Sequence, residues 1–207
     1  PTQAMLDITS LYEKFGKIKN LKVSIVGDIL HSRVAMSNIL GLQKMGAKVL
    51  LCAPPHLIPK FMSEFGVKIS HDINEALEWS DGRCVFASGS PFDTVEFNGV
   101  TRIPSQCNNM YIFPGIGLGA VMGKCSKVSD GMIYASSQAV ASSLKPDEIE
   151  KGMVFPDISR IREVSLNVGV NVIIAAIEEG LCKDQRFRQA NNEEDIRTLL
   201  LDKMYDP

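Results

Sequence analysis

The chain has 207 residues, with 22 Lys and Arg against 24 Asp and Glu and a formal net charge of -2. That balance gives no basis for a nucleic-acid partner or an anionic membrane surface, and 45% hydrophobic with 22% charged residues suits a globular protein with one sizeable core or two small ones. The longest apolar runs, such as Val168 to Ile177, are interrupted and too short for a bilayer, and no N-terminal stretch reads as a secretory signal.

In chain order, Met5, Ile8, Tyr12 and Phe15 recur at helical spacing before Gly16, which predicts a first helix with a glycine stop. The period then changes. Lys22 to Val26, Lys48 to Cys52 and Val67 to Ser70 are short β-branched or apolar runs, separated by helical patterns at Ser32 to Met45 and Pro59 to Phe65. A further helix, Ile73 to Trp79, leads to a fourth strand at Arg83 to Ala87. Alternation at these lengths predicts βαβ units with right-handed crossovers around a parallel sheet.

Past Gly89, Thr94 to Phe97 and Val100 to Ile103 flank Asn98-Gly99, a pair that accepts positive φ in a two-residue hairpin loop. From Gly115 onward the pattern is mostly helical. Val164, Val168, Asn171, Val172 and Ala175 line a long helix from near Ile158 to Gly180, and Glu193 to Met204 forms a last amphipathic one. Five cysteines, Cys52, Cys84, Cys107, Cys125 and Cys182, form no CxxC pair and suit reduced thiols in a cytoplasmic compartment.

Gly27 and Asp28 suit the turn from a parallel strand into a helix, the edge at which open α/β sheets bind ligands. Helix N-termini favour anions, and Arg33 adds a planar fork that can hold a carboxylate by two bonds. The residue reading is thus an anion-binding corner, with a solvated or structural Arg33 as its alternative. His31, His56 and His71 show no partner in the sequence and are read as surface or packing residues.

PTQAMLD (Pro1 to Asp7), YEKFGKI (Tyr12 to Ile18), VSIVGDILHSRVAMSN (Val23 to Asn38) and GAKVLLCAPP (Gly46 to Pro55) resemble the start of the aspartate-binding domain of aspartate carbamoyltransferase, a likeness that extends to about Leu77. It implies that Gln3 lies near a carbamoyl group and that Arg33 binds aspartate. Met36 stands where many relatives have Arg, and the His of the family's HPTQ motif and the phosphate-binding domain are not among these residues. One Arg and one Gln cannot stabilise the charge that develops in carbamoyl transfer.

From Trp79 the chain resembles the C-terminal part of a malic enzyme: WSDGRCVFASGSPFDTVEFNG (Trp79 to Gly99), NNMYIFPGIGLGAVM (Asn108 to Met122), SSQAVAS and IREVSLNVG (Ile161 to Gly169) carry the likeness. It implies that Asn108 and Asn109 contact malate and the nicotinamide neighbourhood, a task that suits neutral amides. Ser105-Gln106-Cys107 replaces the usual GQG, which puts the local backbone in question. The likeness also implies NAD(P) and a divalent metal. The family's catalytic Tyr and Lys, acidic metal ligands and dinucleotide fingerprint lie upstream of the matched segment, so neither cofactor site is expected among these residues.

Gly115, Gly117 and Ala120 satisfy a loose G-x-G-x-x-A after a strand expected at Met110 to Phe113, but Pro114 interrupts the junction and no acidic residue follows about twenty positions on. These glycines are read as a closely packed helix start, and Ser88-Gly89-Ser90 as a turn rather than a phosphate cradle. The resulting expectation is one composite α/β domain over 1–207, built from a carbamoyltransferase-like segment (1–78) and a malic-enzyme-like segment (79–207). Its fold is a Rossmann-like parallel sheet of order 3-2-1-4 with a β-hairpin and a helical C-terminal layer. Its function is that of a catalytically incomplete chimera holding a small carboxylate, aspartate or malate. The alternatives are an enzyme completed by another chain, which would transfer a carbamoyl group to aspartate or oxidatively decarboxylate malate with NAD(P), and a poorly folding fragment; a homo-oligomer is a separate expectation.

Overall fold

In the computed structural model, which describes residues 2–80 and 84–204, the aliphatic runs become β1 (Lys22–Val26), β2 (Lys48–Cys52) and β3 (Lys68–Ser70). They form one parallel sheet of order β1-β2-β3, with Val23 opposite Val49 and Leu51 opposite Ile69. As the middle strand, β2 buries Val49 to Cys52 without interruption. Alternate side chains go to opposite faces. Val49 and Leu51 pack with Ala35, Ile39 and Leu42 of α2 (Arg33–Lys44) and with Ile8 and Leu11 of α1 (Thr2–Phe15), whereas Leu50 and Cys52 pack with Ala76 of α3 (Ile73–Glu78) and with Trp79. Helices on both faces of a parallel sheet give the α/β class that the alternation predicts.

These elements belong to a first unit, Gln3–Phe86; a second begins at Ala87. The expected helix at Pro59 to Phe65 is a 3-10 helix, Lys60–Phe65, ended by Gly66 at φ 67°. The fourth strand departs further. Arg83, the first residue of the expected Arg83 to Ala87, lies outside the described residues, and β4 (Ala87–Ser88) pairs in parallel with β7 (Ser105–Gln106) instead of extending the first sheet beside β1. Cys107 N donates to Ser88 O at 2.7 Å and Gln106 Nε2 to Gly89 O at 3.2 Å, so the strand finds its partner just beyond the hairpin.

In the second unit β5 (Val95–Phe97) and β6 (Val100–Arg102) form the hairpin, with Asn98 and Gly99 at φ 50° and 73°. The strand expected at Met110 to Phe113 is not one. Asn108 caps a 3-10 turn, Asn109–Tyr111, which runs into α4 (Phe113–Met122), and Pro114 sits in the first turn of that helix, where no backbone donor is needed. α5 (Asp130–Ser142), α6 (Pro146–Glu150), α7 (Ile161–Glu178), α8 (Gln185–Arg188) and α9 (Glu193–Leu201) complete the unit. α7 is its centre and packs on α4, α5 and α9. A Cβ on Gly115 would overlap Val168 and approach Ser165 O to 2.7 Å, and one on Gly119 would lie 2.7 Å from Val172. The glycines therefore serve close helix contact, while Gly117 between them faces open space.

Candidate functional site

In the first unit the carboxyl ends of all three parallel strands surround a cleft of about 350 Å³, lined by Val26, Gly27, Cys52, Ala53, Pro54, His71, Asp72 and Ile73. This is the edge at which open α/β sheets take ligands. Gly27, at φ 119° and with no atom within 4 Å of where a Cβ would stand, leaves the mouth beside β1 open.

The polar corner is built from β3 and the start of α3. Ser70 Oγ donates to Glu75 Oε2 at 2.6 Å and accepts from Asp72 N at 3.1 Å, while Lys68 pairs with Glu75 at 3.0 Å. The Ser70 hydroxyl first, and Lys68 second, hold the Glu75 carboxyl below its ordinary value. Asp72 Oδ1 caps α3 by accepting from Asn74 N at 2.9 Å. His71 Nδ1 lies 2.7 Å from Ala53 O. A carbonyl only accepts, so Nδ1 donates in this bond and Nε2 is the ring nitrogen left for a ligand. Burial first, then Asp72 and Glu75, raises the Cys52 thiol and keeps it protonated.

Neither Gln3 nor Arg33, the residues singled out in the sequence of this unit, is in the lining of the cleft. Arg33 is the exposed first residue of α2, beyond the loop that leaves the cleft at Gly27. Within that loop Asp28 meets His31 Nδ1 at 2.8 Å, which holds the Asp28 carboxyl below its ordinary value. His31 and His71 thus do have partners, and His56 is exposed. Gln3 donates to Asp7 Oδ1 at 2.6 Å, and Asn38 donates to Asp7 Oδ2 at 2.8 Å, so the Gln3 amide ties α1 internally. Burial raises the Asp7 carboxyl, against the two amides that lower it.

In the second unit Asn108 and Asn109 stand side by side at the turn before α4. Asn108 Oδ1 accepts from Met110 N at 3.0 Å, leaving its NH₂ for other work, and Asn109 is exposed. The segment behind them is fixed from inside. Ser105 Oγ accepts from Val154 N at 2.8 Å and Phe155 N at 3.3 Å, which no glycine could do. Neither Ser105 nor Cys107 is among the non-glycine residues at positive φ, so Ser-Gln-Cys needs no glycine torsion. Tyr111 OH donates to Pro156 O at 2.8 Å, and burial pushes its pKa up to about 12, which makes it a structural hydroxyl. Among the described residues no group of three or more His, Cys, Asp or Glu is placed to hold a metal ion.

The sequence reading takes His71 as a surface or packing residue and does not single out Asp72. The signal available was Asp72 followed three residues later by Glu75, an N-cap pattern directly after a strand, which places both residues at the sheet edge.

A parallel sheet with helices on both faces and a cleft at its carboxyl edge defines a Rossmann-like α/β protein. The family described as malic enzyme, NAD binding domain, matches residues 52–177, and the chain belongs to that family. It is similar to an NADP-dependent malic enzyme of Dictyostelium discoideum, 41% identical over 133 residues, which is 64% of this chain and 23% of that protein. It is also similar to an NADP-dependent malic enzyme of Vitis vinifera, 47% identical over 107 residues, 52% of this chain and 18% of that protein. The chain thus spans about a fifth of the length of these relatives. The crystal structure of malic enzyme from Pyrococcus horikoshii aligns at a TM-score of 0.57 and 15% identity, over 97% of this chain and 58% of that one, a likeness of fold alone.

Proposed function

We propose that the chain is the dinucleotide-facing part of an enzyme that oxidatively decarboxylates malate with NADP, and that it binds ligands but is catalytically incomplete without further groups. The family match over 52–177, which takes in the cleft segment at Cys52 to Pro54 and Asn108-Asn109, carries this reading. In it the two asparagines orient a carboxylate or a carboxamide by neutral amide hydrogen bonds.

A volume of about 350 Å³ suits a base and ribose, the unused Asp72 Oδ2 suits a ribose hydroxyl, and His71 Nε2 suits an amino or hydroxyl donor. None of the lining residues is a lysine or arginine, so the cleft fits the uncharged part of a dinucleotide and not its phosphates. When bound, the nicotinamide would accept the hydride from malate. The described residues do not form a divalent-metal site, and no step is assigned to one. A cytoplasmic homo-oligomer with no nucleic-acid partner belongs to the same proposal; no helix among the described residues is long and apolar enough to cross a membrane.

The family match takes in residues 52–78 of the segment that resembles a carbamoyltransferase, so the comparisons do not support a chimera. The second reading, in which the first segment is carbamoyltransferase-like and Arg33 takes the carboxylate of aspartate, rests on the residue resemblance alone. Melting curves separate the two. With a ligand at a hundred times its Kd the native state gains about 2.7 kcal/mol. NADP and malate should raise the melting temperature, with the malate shift lost in Asn109→Ala. A shift produced instead by a phosphonate mimic of the carbamoyl phosphate and aspartate pair, and abolished in Arg33→Ala, would favour the chimera. Turnover of malate with Mn²⁺ by the chain alone would overturn incompleteness.

A further inference from the structure

Outside both candidate sites, Cys125 and Cys182 come together at the ends of α4 and α7. A Cβ placed on Gly123 would stand 3.0 Å from Cys125 Sγ and 3.5 Å from Cys182 Sγ, so the two sulfurs share the space beside one glycine. The backbone holds them there. Ser126 N donates to Leu181 O at 3.3 Å, which sets the peptide after Cys125 against the peptide before Cys182, and Lys183 N donates to Gly123 O at 2.9 Å. Cys182 Sγ donates to Gly123 O at 3.3 Å. Cys182 is buried and Cys125 half-buried, so an oxidant reaches the pair through Cys125.

We propose that Cys125 and Cys182 form a reversible disulfide that staples the C-terminal end of α4 to the turn after α7. The reaction consumes a low-molecular-weight disulfide such as oxidised glutathione. The Cys125 thiolate attacks one sulfur of that disulfide and releases one thiol. Cys182, having lost its proton, then attacks the Cys125 sulfur of the mixed disulfide and releases the second. Two protein thiols are oxidised, one disulfide is reduced to two thiols, and the S–S bond formed replaces the one broken. Burial raises both thiols above their ordinary value, which keeps the thiolate fraction small and makes the exchange slow. The staple would close the chain segment carrying α5, α6 and α7, a long loop whose closure restricts the unfolded chain.

The full chain is incubated with oxidised glutathione under native conditions, digested without reduction and mapped by mass spectrometry. The expected result is a Cys125–Cys182 linked peptide, and a melting temperature higher by roughly 10 °C that reverts with dithiothreitol. Cys125→Ser should leave the reduced melting temperature within a few degrees and abolish both effects. Stable glutathione adducts without the link, a link through Cys84 or Cys107 instead, or a link that forms only in denaturant would each overturn the proposal.

Discussion

The first unit leaves polar groups at an open edge, where His71, Asp72 and the Asp28–His31 pair surround or line a cleft. The second turns comparable groups inward. Glu148 accepts from Lys145 N at 2.7 Å and Asp157 N at 2.9 Å and pairs with Arg160 at 2.8 Å, while Ser105 holds two backbone donors. A sheet edge ends in backbone that must turn, which exposes side chains. A helical layer without that edge has to tie its loops by hydrogen bonds of its own. The first unit is therefore suited to receive a ligand, and the second to hold a short surface segment, Asn108-Asn109, in place.

Breaking the inward network should have the largest effect. Glu148→Ala leaves a mostly buried Arg160 with only the exposed Glu163, and orphans two backbone donors. It should cost the second unit about 4 kcal/mol, read by chemical denaturation, with the amides of the first unit unchanged in hydrogen exchange. Gly115→Ala should follow at about 3 kcal/mol because its Cβ overlaps Val168. Ser105→Ala strips the acceptor from Val154 N and Phe155 N and should cost about 2 kcal/mol. A loss confined to nucleotide binding in Gly115→Ala would restore the phosphate-loop reading of these glycines.

Acid should separate the units by sign. Asp184 is held low chiefly by Arg186, Asp157 by Ser159 and, weakly because it is exposed, Glu163 by Arg160, so their stabilisation is complete above about pH 5 and is lost as pH falls further. Asp7 is raised by burial, so the folded first unit binds its proton earlier than the unfolded chain does and gains stability as pH falls toward about 4. Exposed Asp28 and Glu75 oppose that gain weakly. Hydrogen exchange along a pH series should show α7 losing protection before β2, and Asp7→Asn should flatten the first unit's rise. The smallest effect is a gain: Gly117→Ala, in open space on α4, should add about 0.5–1 kcal/mol by thermal melting.

The sheet was legible because Val49 to Cys52 is apolar without a break, and the hairpin because Asn98-Gly99 names its own turn. The partner of β4 was not, since two-residue strands carry no pattern and their pairing depends on Gln106 and Cys107 hydrogen bonds seen only in three dimensions. Met110 to Phe113 read as a strand because a buried Tyr111 and Ile112 look alike in a strand or a helix start. Among site residues, Arg33 was found by its type and place, whereas His71 was passed over because its Ala53 partner comes from a neighbouring strand end.

The glycine seam between α4 and α7 bears on how the second unit forms. Its two halves are separated in sequence by α5 and α6, so the contact that fixes the core is non-local and a long loop must close before it rewards the chain. Gly115 and Gly119 also weaken α4 as an isolated helix. Refolding of this unit should therefore wait for α7, so that a chain emerging from the ribosome completes β1 to β3 well before α4 has anything to dock against.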